Sequence, residues 1–211
     1  MRCVVIRPAY DGPTITSHAW AQPLLQALIS SGIHEVVDLP KRFATRNQVE
    51  SAVVFESADF VAFFGHGLDA CLLEQDGTSH SASCAIDLSN IWVLNGAVVL
   101  AIACNSARTL GPAAIGVGAV AYVGFEVVVE WTSRHAARFG LVIAELFLSI
   151  LDGRTVDEAV AAAVSAAEAQ LQHFYSLVLD ATDPRALRAA ELLEAMVEGL
   201  TIHGNGTAQL T

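Results

Sequence analysis

Through the first 130 or so residues, short and mainly apolar runs alternate with amphipathic stretches, and Gly, Pro, Asn or Ser tends to close each run. Residues 3–6, 35–39, 60–64, 98–103 and 119–125 are such runs, and we read them as five strands. Runs this short that stay apolar without alternation mark strands covered on both faces. Between them, Trp20, Leu24, Leu25 and Leu28 recur at helical spacing within a helix expected over 15–29, with Gly32 as its stop. A short helix is expected over 47–55, with Thr45 or Asn47 as its N-cap, and others over 87–94 and 111–118. Residues 70–76 read as one arm of a hairpin that turns at Asp76-Gly77. This β-α-β alternation predicts an α/β fold, a mostly parallel sheet flanked by helices, with right-handed crossovers.

Beyond Trp131 the pattern turns helical. A helix is expected over 132–151 with Gly153 as its stop. An alanine-rich helix follows to about residue 178, opened by a capping box of Thr155 and Glu158. Asp183-Pro184 opens a last helix to about residue 198. The expected organisation is therefore an α/β core over 1–131, a helical C-terminal part over 132–200 packed on it, and a flexible polar tail over 201–211.

Composition narrows the partners. Apolar residues make up 54% of the 211-residue chain and charged ones 16%, which excludes disorder and points to a surface partly covered by a partner or another copy. A net charge of −11 gives no electrostatic case for nucleic acid or an anionic membrane, and favours a basic protein or peptide. No targeting segment or membrane-length apolar stretch is visible. Cys3, Cys71, Cys84 and Cys104 form no C-x-x-C pair, and the expectation is a cytoplasmic protein with reduced thiols. His18, His34, His80, His135, His173 and His203 show no metal-ligand spacing, residues 111–118 match no phosphate or dinucleotide loop, and no cofactor is expected.

The candidate chemistry lies where two of the apolar runs end. The run through Phe64 closes in Gly65-His66-Gly67, and the run through Ala103 closes in Cys104-Asn105-Ser106. Ligands of open α/β sheets bind at the carboxyl ends of strands, so His66 and Cys104 meet there if the two strands are neighbours. Cys104 then supplies a nucleophile, His66 a general acid and base, and the N–H groups of Gly67 and Cys104 an oxyanion hole. Gly67 lacks the Cβ that would keep a substrate carbonyl away from its backbone. Alone, a cysteine at a strand end is more often a small core residue. Its order after a glycine-flanked histidine reverses that weighting, whereas Cys3, Cys71 and Cys84 read as ordinary.

These two elements in this order resemble the caspase-like cysteine peptidases, a group that includes caspases, metacaspases, separase, gingipains and bacterial CHAT-domain proteins. Ala103-Cys104-Asn105-Ser106-Ala107 and the glycine-rich stretch from Gly116 to Phe125 resemble the CHAT and gingipain-like branch most, over roughly residues 1–130. The resemblance implies a Cys104–His66 dyad cleaving a protein substrate, activation by a partner or by cleavage, and a place in a bacterial immune or cell-death system. It names no strict third member, and whether Asp59 or Asp69 tunes His66 stays open. It also implies a charged pocket for the residue before the cut. Asp11, Glu126 and Glu130 are the acidic candidates against Arg7 and Arg108, and the balance favours Arg or Lys there. An inactive caspase-like scaffold is the rival reading. An amidotransferase-like thiol hydrolase is a weaker one, because that group places its histidine after the cysteine.

Overall fold

The computed structural model describes residues 1–32, 35–54, 57–75 and 83–210. The hairpin turn expected at Asp76-Gly77, and the positions of His34 and His80, lie outside them. The chain runs β1 (Arg2–Arg7), α1 (Gly12–Trp20), α2 (Gln22–Ser31), β2 (Glu35–Pro40), α3 (Arg46–Val54) and β3 (Phe60–Phe64). Three short strands follow, β4 (Gly67–Leu68), β5 (Cys71–Leu73) and β6 (Cys84–Asp87), and then β7 (Val98–Ile102), α4 (Leu110–Gly116) and β8 (Ala121–Phe125). The chain closes with α5 (Ala136–Leu151), α6 (Val156–Leu179), α7 (Ala186–Glu198) and β9 (Leu200–Gly204).

The main sheet has the order β2-β1-β3-β7-β8-β9, parallel except for β9. This is the mostly parallel, helix-flanked α/β sheet that the alternation predicts. Its central strands are apolar on both faces because both faces are covered. Phe60, Ala62 and Phe64 of β3 pack with Leu100 and Ile102 of β7 under α1, α2, α5, α6 and α7. Val61, Phe63, Val99 and Ala101 point the other way, toward α3 and α4. Strand alternation thus feeds two separate cores from one run of apolar residues.

Several expectations change. The helix expected over 15–29 is two helices, because Pro23 has no N–H to continue the first one, and α2 restarts at Gln22. The helix expected over 132–151 begins with a 3-10 turn, Ser133–His135, before α5. The tail is not loose. Residues 200–204 form β9, which pairs antiparallel with β8 and satisfies an edge that would otherwise be bare. Beyond it, Gly206 and Ala208 C=O accept the Asp157 and Val156 N–H groups that open α6.

The expectation of reduced thiols fails at two of the four cysteines. Cys71 on β5 and Cys84 on β6 lie on paired strands and are joined by a disulfide, while Cys3 and Cys104 are free. Spacing alone did not reveal the pair, since strand pairing brings them together across the hairpin. The argument from reduced thiols to a cytoplasmic location goes with it. Among the described residues, no helix is long and apolar enough to cross a membrane.

Candidate active site

Strands β3 and β7 are direct neighbours, with Phe64 opposite Ile102. His66 and Cys104 each lie two residues past that last pair, at the same edge of the sheet. The turn between β3 and β4 is tight. A Cβ on Gly65 would lie 2.8 Å from Pro8 Cγ and 2.9 Å from the Phe63 ring, so the histidine's neighbour must be glycine.

Gly67 is constrained by the nucleophile's own backbone. A Cβ there would collide with Cys104 O and lie 2.9 Å from Ala103 Cβ. The close approach that needs glycine is thus one between two strand ends of the protein, rather than one between Gly67 and a substrate carbonyl. Gly67 faces Leu72 across β4 and β5, while Leu73 N–H donates to His66 C=O at 3.0 Å. That register makes Gly67 and Leu72 a non-hydrogen-bonded pair, and the Gly67 N–H points away from β5.

After Cys104 the chain turns sharply, with Asn105 in the left-handed region at φ 52°. The turn is tied to β8: Ser106 Oγ donates to Ala101 C=O and accepts Phe125 N–H, and Tyr122 Oη donates to Ser106 C=O at 2.9 Å. The buried hydroxyls make this a rigid support for the thiol.

The partners of the two side chains are less obvious. His66 Nε2 meets Asp11 Oδ2 at 2.8 Å. Asp11 is the N-cap of α1, and its other oxygen accepts Thr14 N–H at 2.9 Å in a capping box. Burial pushes the Asp11 carboxyl up, but the bonds from the Thr14 hydroxyl, His66 and the Thr14 amide outweigh it and hold the group below the ordinary carboxylate value. The carboxylate near His66 is therefore Asp11. Asp59 instead accepts Arg2 N–H at 2.7 Å, and Asp69 pairs with Arg108 at 3.7 Å.

Cys104 Sγ accepts Val129 N–H at 3.3 Å and donates to Val129 C=O at 3.8 Å. Burial pushes the thiol pKa up, the amides of Val129 and Cys104 itself pull it down, and Glu130 adds to the rise; the net direction is upward. Among the described residues, no hydrogen bond joins Cys104 to His66.

Both groups open into one cleft of ≈ 590 Å3. Pro13, Thr16, Ser17 and Trp20 of α1 form one wall, Ile102 and Ala103 lie beneath, and residues 128–131 form the other wall. Trp20 and Trp131 meet edge to face at 4.6 Å, and Trp20 Nε1–H donates to Ala136 C=O. The three acidic candidates part ways here. Asp11 is taken by His66, and Glu126 is exposed outside the cleft lining with its C=O bound to Arg108 Nε at 2.6 Å. Glu130 lines the cleft, 3.8 Å from Arg188. Of the two basic candidates, Arg7 is buried against Asp38 and neither lines the cleft. Asp11's bond to the histidine, the indole pair and Val129 escaped sequence reading. The one signal that could have pointed to Asp11 is its place ahead of Gly12-Pro13-Thr14, an N-cap residue followed by proline in the first turn.

This is the fold of the gingipains. The chain resembles a crystal structure of the Arg-specific cysteine proteinase gingipain R with a TM-score of 0.59, at 15% identity over 98% of this chain and 46% of that one. A complex of the Porphyromonas gingivalis gingipain pro- and mature domains matches with a TM-score of 0.55, at 16% identity over 98% of this chain and 47% of that one. The chain thus spans about half the length of these structures. No protein-family model matches it, and no curated protein does.

Proposed function

We propose that the protein is a cysteine endopeptidase of the caspase-like type, cutting a protein substrate after a basic residue. One observation carries the reading: Gly67 and Cys104 are packed backbone to backbone where β3 and β7 end together, with His66 between Gly65 and Gly67. In the proposed reaction Cys104 attacks the scissile carbonyl, and the Gly67 and Cys104 N–H groups receive the oxyanion. One such donor is worth about 10²–10³ in rate. With Nε2 of His66 committed to Asp11, Nδ1 is the nitrogen that protonates the leaving amine and then draws a proton from the water that hydrolyses the thioester.

Glu130 is the acid that remains for the substrate residue before the cut, and the indoles of Trp20 and Trp131 favour a long cationic side chain over a short anionic one. Asp11 and Glu126 leave that role. The motif order leads us to place the protein near the bacterial CHAT branch, switched by a protein partner in an immune or cell-death setting. The scaffold reading has less behind it, since a scaffold needs neither side chain.

Fluorogenic peptides that differ only in the residue before the cut (Arg, Lys, Asp or Leu), assayed beside Cys104→Ala, test the proposal. Cleavage after Arg or Lys that is lost in the variant is expected. Cleavage after Asp would refute the role of Glu130, and turnover surviving in Cys104→Ala would refute the nucleophile.

A further inference from the structure

A second histidine is built into the support of the first. His18 lies half-buried on α1, with Nδ1 3.0 Å from Arg7 C=O and Nε2 2.7 Å from Arg7 Nη1. A carbonyl only accepts and a guanidinium only donates, so Nδ1 carries the proton and Nε2 offers its lone pair. Only the neutral ring meets both demands. Arg7 is itself buried and fixed, since its Nε and Nη2 donate to the two oxygens of Asp38 at 2.7 and 2.6 Å. The two bonds to His18 close a loop between the last residue of β1 and α1. That loop carries the contacts of the dyad histidine: Pro8 crowds Gly65, the Tyr10 ring lies 5.9 Å from the His66 ring, and Asp11 meets His66 Nε2. It has other anchors. Ala9 N–H donates to Gln75 Oε1 at 2.8 Å, and Thr14, Ser17 and Trp20 are buried, so losing the His18 bonds loosens the loop without displacing α1.

We infer that His18 is a positioning residue that makes the site acid-sensitive: its neutral ring ties β1 to α1 and fixes the loop that holds Asp11 against His66, and protonation of the ring opens that tie. A proton on Nε2 removes the acceptor of Arg7 Nη1 and sets two cations against each other. Among the described residues, the charged groups that face the ring are Arg7 from β1, Asp38 from β2 and Lys41 from the 3-10 turn that follows. Burial pushes the ring's pKa down from the ordinary 6.5, the bond to Arg7 C=O pulls it up, and the charges of Arg7 and Lys41 push it down against Asp38; the net direction is downward. The tie is therefore complete above pH 6.5 and is lost as the pH falls through the lower, folded value. A protonated His66 would bind Asp11 more tightly, so the dyad histidine does not account for such a loosening. The tie rests on the peptidase reading for its purpose, but not for its test.

Hydrogen–deuterium exchange reads the loop without a substrate. Peptides covering residues 8–17 are followed at about pH 7.5 and about pH 5, corrected for the intrinsic exchange rate, with the amides of β3 and β7 reporting an intact sheet. In the wild type, protection over residues 8–17 is expected to fall about tenfold on acidification, the factor carried by one hydrogen bond to a charged group, while β3 and β7 stay protected. His18→Gln should abolish this step, because its amide can donate to Arg7 C=O, accept from Arg7 Nη1 and does not titrate. His18→Ala should show at both pH values the fast exchange that the wild type reaches only in acid. Equal wild-type protection at the two pH values would overturn the inference, and so would an acid step of wild-type size in either variant. An acid step confined to the wild type, in a protein that cleaves no peptide, would uphold the tie and count against the peptidase.

Discussion

Asp11 does two jobs at one position, capping α1 with one oxygen and meeting His66 with the other. The two can be separated. Asn caps a helix about as well as Asp but carries no charge, so Asp11→Asn should leave the fold intact and lower kcat at least about tenfold with little change in KM. Asp11→Ala should lose the same activity and about 1 kcal/mol of stability with the cap. Parallel kinetics and thermal melts check this; equal stability loss in both variants would refute the division. Cys3 gives a pH prediction. Burial pushes its thiol from 9.0 to about 12, so the folded state favours the protonated form. Its contribution is fully present below pH 9 and is lost as the pH rises from 9 toward 12, because the unfolded chain ionises first. Denaturant midpoints measured across that range should fall, and fall less steeply in Cys3→Ala.

The small sheet β4-β5-β6 is the element that presents His66 and Gly67. It is held by Leu72, Ala85 and Ile86 buried in the core that α3 and α4 cover, by its strand bonds, and by the Cys71–Cys84 disulfide, which spans 13 residues. Closing a loop of this length stabilises by about 3 kcal/mol in the chain-entropy view. Replacing both cysteines by serine should therefore lower Tm by about 6–12 °C and weaken activity, since Leu73 on β5 holds the His66 carbonyl. An unchanged melt would show that the hairpin stands without its bridge. Elements like β3 and β7 were legible because an apolar run bounded by glycine or asparagine states its own burial. The disulfide was not, because a hairpin signal at Asp76-Gly77 does not say which positions of its two arms come side by side.

At the scale of the whole molecule, the last residues complete the sheet. β9 returns from the helical half to pair with β8, and residues 205–208 close the start of α6. Truncation after Glu198 should strip the β8 edge and two helix-opening acceptors together, giving a protein that aggregates or melts well below the full chain. A truncated chain with the same melting point would return residues 200–211 to the status of a tail. The sequence by itself determined the parallel sheet, the run ends that carry His66 and Cys104, and most helices, including the Thr155–Glu158 capping box. Each of these is written in local periodicity and in residues a few positions apart. Tertiary structure alone decided that Asp11 meets His66, that Val129 grips the thiol, that Glu130 rather than Glu126 faces the cleft, and that the final segment is a strand. Those contacts join residues far apart in the chain, and their partners are chosen by how the layers pack, which no local pattern encodes.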